Sequence, residues 1–542
     1  MKHVLSPTLT LAVLVLLLLS FAAAAVGETT GLSEFAGMEP IDVTISYWQF
    51  VDANGEYEGE KFAQKVRDEF GINLISVPVT WADSIEKIST FAASDSLPDV
   101  FVHLGWDNKY EFYEFVEQEM VRDIPPELYS KYENVNRVMT TYAYEAMPDG
   151  KMYHLPREDR AWEGTNGNPI ALFYRLDYAQ KLGYTEEQLK TPMSIDELTA
   201  FLEKMTFGDP DGNGEDDTYG LGNALDTGTG LGYLSQLIYP MFGYRPWMYT
   251  EENGWQYGYI SEEAKACTLW LHDLYQRGIL DPEFAILKDS QMQEKFSTGT
   301  IGVMPYNMNS TNAYSFRRQY WEKINADLAI DEYVSGLPEP TMADGTRNIR
   351  PKAYWSSTLI SYKVDDEKLD RILAFFDWMY GVDGYLFTTW GEEGVDYEMK
   401  DGQLVSLLKD AKGDPKTFYS NTSLMLMPSL AGWHLDKIPG VVDSTLTDWD
   451  NKMDQILRNE YWPYCYPINF VTYLFSDNLM SFDIETHVEN QLVLLIMQST
   501  DFEADWDSFV QDLYDNYNLE AVTEEVNAAA AEKGIVWEPY KK

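Results

Sequence analysis

Three short stretches near the N-terminus decide the fold: Ile41-Asp-Val-Thr-Ile-Ser-Tyr47, Ile72-Asn-Leu-Ile-Ser-Val-Pro-Val79 and Asp99-Val-Phe-Val-His-Leu104. Each is short and rich in strand-forming residues, and two helical patterns separate them. In 60–70, Phe62, Val66 and Phe70 stand four apart, and Gly71 supplies a stop. In 83–93, Ile85, Ile88 and Phe91 are predicted to share one side. Strand, helix, strand, helix, strand with short joints predicts an α/β sheet built from βαβ units. Open sheets of this kind bind ligands outside the carboxyl ends of their strands. Tyr47-Trp48-Gln49-Phe50 follows the first strand, and His103-Leu104-Gly105-Trp106-Asp107 follows the third. Both put a tryptophan at the predicted crevice, either to pack or to meet a ligand.

The same alternation continues downstream. Residues 171–184 read as a strand running into a helix, and Ser194-Ile-Asp-Glu197 opens a further helix as a capping box. A helix over 261–276 ends at Arg277-Gly278, and 296–306 reads as a short loop and a buried strand. Residues 355–362 read as a strand, 367–380 as a helix, and 481–531 as largely helical. No internal repeat and no low-complexity tract interrupts this order.

At 542 residues the chain is too long for one ordinary core. Aromatic residues make up 14% of it, enough to line a binding surface as well as a core. Its 40 Lys and Arg face 88 Asp and Glu, a formal charge of -48. Such a chain repels nucleic acid and anionic membranes, so neither is expected as a partner. Residues 1–25 read as a secretory signal, with Lys2, an apolar run over 9–21 and Ala23-Ala24-Ala25 as a cleavage site. No cysteine follows the run, so a periplasmic or freely secreted protein is expected rather than a lipid-anchored one. Cys267 and Cys465 are the only cysteines. Cys267 shares a helical face with Ala264, Leu271 and Leu274, which predicts a buried free thiol.

The second informative stretch is Asp209-Pro-Asp-Gly-Asn-Gly-Glu-Asp-Asp-Thr-Tyr-Gly220. Asp209, Asp211, Asn213, Glu215 and Asp217 alternate, and Gly214 stands where a calcium loop turns sharply. That is the first part of an EF-hand-type loop, with a backbone carbonyl supplied at Glu215. Its residues are also turn formers, but a turn alone does not need oxygens at alternate positions. The Glu usual at position twelve is replaced by Gly220, so a structural Ca2+ loop is expected and not a helix-loop-helix sensor.

In their order, six motifs resemble those of extracellular solute-binding proteins of bacterial carbohydrate ABC importers. The similarity is to the large oligosaccharide-binding branch that includes alginate-oligosaccharide-binding proteins. The motifs are Gly150-Lys-Met-Tyr-His-Leu-Pro156, Tyr174-Arg-Leu-Asp-Tyr-Ala-Gln-Lys-Leu-Gly183, the acidic loop, Gly278-Ile-Leu-Asp-Pro-Glu-Phe284, Gly391-Glu-Glu-Gly-Val-Asp-Tyr397 and Asp501-Phe-Glu-Ala-Asp-Trp-Asp507. The resemblance implies an α/β, two-lobed periplasmic-binding-protein-like fold with the ligand cleft between lobes. It implies a monomer that delivers an oligosaccharide to permease subunits. In the family the tenth loop position often carries Glu; here Thr218 stands there as the sixth ligand. By analogy, the first lobe takes 26–155, the second 156–305, the first again 306–358, and the second with C-terminal helices 359–542. Crossings are expected near Pro156, Tyr306 and Thr358.

A sugar ring shows an apolar C–H face and a rim of hydroxyls, so its site needs flat aromatics and planar polar groups. The expected contacts are Trp48, Trp106, Tyr174, Arg175, Tyr306 and Trp355. Arg175 has a rival role as the partner of Asp177. Arg157, Arg160 and Arg175 in so acidic a chain would suit an acidic sugar. The chain has no Gly-x-Ser-x-Gly, no His-Glu-x-x-His and no Gly-rich phosphate loop, and its histidines lack metal spacing. No enzyme is therefore expected. A glycan hydrolase, a surface adhesion protein and a peptide-binding member of the same fold are the alternatives.

Overall fold

The computed structural model describes residues 33–48, 57–80, 83–103, 109–142, 147, 149–158, 168–225, 231–349, 354–409, 413, 415, 442–443, 446–466, 477–480, 482, 484–538 and 540. In chain order the strands are β1 (Ile41–Ser46), β2 (Ile72–Ser76), β3 (Val100–His103), β4 (His154–Glu158), β5 (Ile170–Arg175), β6 (Tyr219–Leu221) and β7 (Trp247–Thr250). They continue with β8 (Gly254–Tyr257), β9 (Ile301–Asn307), β10 (Val334–Gly336), β11 (Tyr354–Ile360), β12 (Tyr397–Lys400), β13 (Gln403–Ser406) and β14 (Val442–Asp443).

β1 pairs in parallel with β2 and β3, because the helices Tyr57–Phe70 and Ser84–Ala93 carry the chain back each time. Phe62, Val66 and Phe70 bury the stripe that their spacing predicts. In the next helix the buried face is Ser84, Ile88 and Ala92, while Ile85 is 50% exposed. That face is rotated from the predicted one because Ser84 is drawn in to accept the Trp48 indole N–H at 2.9 Å. The first sheet runs β2-β1-β3-β11-β4, with β11 antiparallel to both neighbours. The second runs β10-β5-β9-β6, with β5 antiparallel to β10 and β9, and β9 parallel to β6.

Two large cores accompany the two sheets. Val43, Ile45, Val102 and Leu155 pack with Leu373 and Phe376 of the Asp366–Tyr380 helix. Phe173, Val303 and Phe316 pack with Trp449, Leu492 and Val526 of the C-terminal helices. Two expected segments are thereby corrected. Residues 306–349 belong with the second core, not the first, because β9 and β10 both pair with β5; Tyr306, Trp321, Val334 and Ile349 lie there. The Asp366–Tyr380 helix, expected in the second lobe, packs on the first sheet. Tyr306 therefore stands near the carboxyl end of β9 in the second sheet, and the chain does not cross between sheets there.

The chain leaves the first sheet after β4 and returns to it at β11. After β14 it passes to the Asp448–Glu460 helix, whose Trp449, Met453 and Leu457 lie in the second core. Strand direction then fixes which edges matter. In the first sheet the carboxyl ends of β1, β3 and β4 lie with the amino end of β11. In the second, the carboxyl ends of β6, β9 and β10 lie with the amino end of β5. These are the edges between which the chain crosses. Cys267 and Cys465 are both buried and free, as the helical face of Cys267 predicts.

Candidate ligand edges and the acidic loop

At the crossing edge of the first sheet, Trp48 is only 1% exposed. Its ring packs edge-on to Tyr47 at 5.4 Å, and its indole N–H is held by Ser84. Arg157, at the end of β4, is fully buried. Its guanidinium lies 5.2 Å and 5.3 Å from the ring centres of Tyr47 and Trp48 and donates to Ser356 Oγ at 2.7 Å. Desolvation in this cluster pushes the Tyr47 hydroxyl well up, against the opposing Arg157 charge. On the other face of the first sheet, against Phe112 and Phe115, His103 Nε2 stands 3.3 Å from Glu111 Oε2. Trp48 is thus a packed wall of this edge. Trp106 and Arg160 lie outside the described residues, as does the side chain of Trp355.

The second sheet separates three residues that the sequence grouped. Ala171 stands opposite Tyr306 and Tyr174 opposite Val303, so Tyr174 and Tyr306 point to opposite faces. Tyr174 packs against Phe201 at 6.0 Å, and burial pushes its hydroxyl up to about 12. Arg175 makes a two-pronged pair with Asp177 at 2.9 and 2.8 Å and lies 4.1 Å over the Tyr178 ring. It also ends β5, roughly 17 Å along the strand from the crossing edge. Tyr174 and Arg175 therefore serve the core and the turn into the Leu176–Lys181 helix.

Tyr306 is the member that reaches the crossing edge, and it brings partners that the sequence reading missed. The Asp289–Thr298 helix is joined to β9 by a two-residue turn at Gly299, so its first residue returns to the far end of that strand. There Asp289 Oδ1 accepts from the Tyr233 hydroxyl at 2.9 Å, and Asp289 Oδ2 accepts from Gln293 Nε2 at 2.6 Å. The Tyr306 hydroxyl lies against Gln293, and its ring packs edge-on to Tyr233 at 6.4 Å. Half-buried Tyr320 stands near Asp289 as well. Burial first, and the Asp289 charge second, push the Tyr306 and Tyr320 hydroxyls up, so both stay protonated donors. Residues so far apart in sequence leave no local pattern to read.

The acidic loop links the Ile195–Phe207 helix to β6. Asp209, Gly212 and Gly214 take φ of 48°, 81° and 85°, so the sharp turn falls where the spacing predicts it. Asp209 Oδ1 accepts from the Gly214 N–H at 3.1 Å, and Asn213 Oδ1 from the Glu215 N–H at 2.7 Å. Asn213 Nδ2 donates to Asp211 at 2.8 Å and to Asp217 at 3.1 and 3.2 Å, so two carboxylates converge on one point. Glu215 is exposed, as a backbone-carbonyl ligand allows, and Thr218 is buried. An all-oxygen donor set of this kind fits a hard cation. Among the described residues, however, no group of three or more His, Cys, Asp or Glu is already gathered to hold an ion.

Position twelve has its own explanation. A Cβ on Gly220 would stand 2.3 Å from the Leu202 carbonyl oxygen and 2.9 Å from Thr206 Oγ1. The Gly220 N–H donates to that same Thr206 hydroxyl at 2.9 Å. The strand presses so closely on the helix that no side chain, and so no twelfth-position Glu, can stand there.

Two cores, two sheets and sheet edges that carry aromatic and planar polar groups describe a two-lobed α/β protein. Residues 60–386 match the model of the bacterial extracellular solute-binding protein family. The chain belongs to that family. It is 29% identical over 299 residues to the polygalacturonan/rhamnogalacturonan-binding protein YtcQ of Bacillus subtilis (strain 168), covering 53% of this chain and 51% of that one. The match thus spans about half of that relative. An EF-hand mutant of the S. pneumoniae ABC-transporter substrate-binding protein FusA, in complex with fructo-nystose, superposes with a TM-score of 0.65 at 17% identity, covering 91% of this chain and 100% of that one. The alginate-binding protein AlgQ2 without calcium ion superposes at 0.64 and 16% identity, covering 93% and 99%. The likeness establishes the two-lobed fold. Among the described residues no helix is long and apolar enough to cross a membrane.

Proposed function

We propose that this protein captures an oligosaccharide between its lobes and delivers it unaltered to the permease subunits of an ABC importer. The carrying observation is family membership combined with two crossing edges that both end in aromatic and planar polar side chains. Buried Tyr47, Trp48 and Arg157 form the packed wall behind one edge, and Tyr233, Asp289, Tyr306 and Tyr320 stand at the other. Such groups suit the C–H face and hydroxyl rim of a sugar. Closure about the crossings would trap the ligand and present one face to the importer. Trp106 and Trp355 remain proposed contacts. The sugar-binding relatives support the cargo class.

The acidic loop is read as a structural Ca2+ site held by Asp209, Asp211, Asn213, the Glu215 carbonyl, Asp217 and Thr218. Its glycine turns and the converging Asp211 and Asp217 support this, as does the EF-hand in FusA. The protein is read as an exported monomer without catalytic activity, its leader being 1–25.

A thermal-shift screen in calcium, against neutral and acidic oligosaccharides, tests the reading. A ligand bound only by the folded state adds about 2.7 kcal/mol at a hundredfold excess over its Kd. A shift with the glycan recovered intact is expected. Cleavage of the glycan would overturn the non-catalytic role, and no shift with any glycan would turn the reading toward peptide cargo or adhesion.

A further inference from the structure

We infer that Arg245 is a positioning residue for lobe closure: through it the C-terminal segment 535–540 fastens the point at which the chain leaves the second lobe. This holds whatever the cargo, and takes from the reading above only that the lobes move about the crossings. Ile349 is buried in the second core, and β11 begins in the first sheet at Tyr354. The anchor before that crossing is Asn348, buried, whose Nδ2 donates to the Pro240 and Tyr244 carbonyls at 3.3 and 3.1 Å. Its Oδ1 accepts from Arg245 Nε at 3.2 Å. The Ile349 N–H donates to the Tyr464 carbonyl at 3.3 Å, and the Tyr466 N–H to the Ile349 carbonyl at 3.2 Å. The Tyr466 ring centre lies 4.6 Å from the Arg245 guanidinium. Arg245 thus touches both segments of the bridge that roots the crossing.

Its other partners come from the C-terminus. Arg245 Nη1 donates to the Glu538 carbonyl at 3.0 Å, and the guanidinium lies 4.3 Å and 4.5 Å from the ring centres of Trp537 and Tyr540. The Tyr540 hydroxyl donates onward to the Gly243 carbonyl at 2.5 Å. Gly243 has a φ of 94°, and a Cβ there would stand 3.0 Å from Met342 Sδ and 3.3 Å from that hydroxyl, so bare backbone admits the tail. Arg245 is only 4% exposed, so its charge has given up most of its water. Burial holds its pKa below the usual guanidinium range, against Tyr540, Tyr466 and Glu538. A buried cation is tolerated where ring faces and oxygens replace that water. Here Trp537, Tyr540 and the Glu538 carbonyl supply the larger share of them. Without the tail the guanidinium would draw water in, and that hydration would compete with Asn348. The tail therefore decides how firmly the crossing is rooted, and so how freely the lobes turn about it.

The test uses the full chain without ligand, so a wrong cargo class leaves it untouched. Hydrogen-exchange mass spectrometry compares wild type, Arg245→Met and the double variant Trp537→Leu with Tyr540→Leu. Peptides carrying the Ile349 and Tyr466 amides are expected to exchange about tenfold faster in both variants, the size of effect that loss of a hydrogen bond to a charged group has on a local opening. The Ile195–Phe207 helix of the same core should stay within about twofold of wild type. Spin labels at Glu127→Cys and Glu187→Cys, exposed positions on the first and second lobe, read the interlobe distance, while Cys267 and Cys465 are buried. The distance distribution should be broader in the variants than in wild type. Unchanged exchange at Ile349 and Tyr466, or equal acceleration in the Ile195–Phe207 helix, overturns the anchor. An unchanged distance distribution overturns its link to closure. If Arg245→Met does not fold, the tail variant decides the matter.

Discussion

Restoring a side chain at the twelfth position of the acidic loop is expected to damage the protein rather than complete a calcium site. In Gly220→Ala the new Cβ would sit 2.3 Å from the Leu202 carbonyl oxygen, 2.9 Å from its carbon and 2.9 Å from Thr206 Oγ1. Two of these atoms are helix backbone, which cannot rotate away as a side-chain tip can. Overpacking of this kind costs about 1–3 kcal/mol, and the upper end applies where backbone must move. The shift also threatens the 2.9 Å bond from the Gly220 N–H to Thr206, worth about 1 kcal/mol more. A loss of about 3–4 kcal/mol corresponds to a fall of roughly 6–16 °C for a unit of domain size. Circular dichroism melts of wild type, Gly220→Ala and Gly220→Glu, each with and without calcium, measure it. Both variants should melt lower in both conditions. A Gly220→Glu protein that melts as high as wild type and binds calcium more tightly would refute the steric argument.

Two further outcomes are expected. Chelation should lower the melting temperature of wild type, and Asp211→Ala with Asp217→Ala should abolish that difference; an unchanged midpoint, with no metal by elemental analysis, refutes the calcium site. Burial, aided by the Glu485 charge, pushes the Glu489 carboxyl up from 4.5 to about 7. The fold therefore holds this proton more tightly than the unfolded chain does, and the resulting stabilisation is complete below about 4.5 and lost as pH rises through about 7. Glu489→Gln should flatten the stability profile across that window, and identical profiles for the two proteins would remove the assignment.

Much of the fold was legible because its signals are local. The stripe of Phe62, Val66 and Phe70 depends only on helical period, and the Ser194 to Glu197 capping box is one turn of backbone. The pair between Arg175 and Asp177 spans two residues and was readable as the rival to ligand contact. The acidic loop likewise announces itself by alternate oxygens and a glycine, because its hydrogen bonds close within nine residues.

What the sequence could not decide is whatever depends on strand order and direction. Nothing in the local pattern says that β9 and β10 both pair with β5, yet that pairing moves residues 306–349 into the second core. The pleat then sends Tyr174 and Tyr306 to opposite faces, and strand direction puts Tyr306 at the crossing edge and Arg175 away from it. Asp289 gains Tyr233, Gln293, Tyr306 and Tyr320 only because a helix folds back along one strand. The chain by itself determined the periodic elements, the caps and the loop, since each is settled by neighbours a few bonds away. Tertiary structure alone decided which side chains meet at the edges, because packing and register join residues that share no local period.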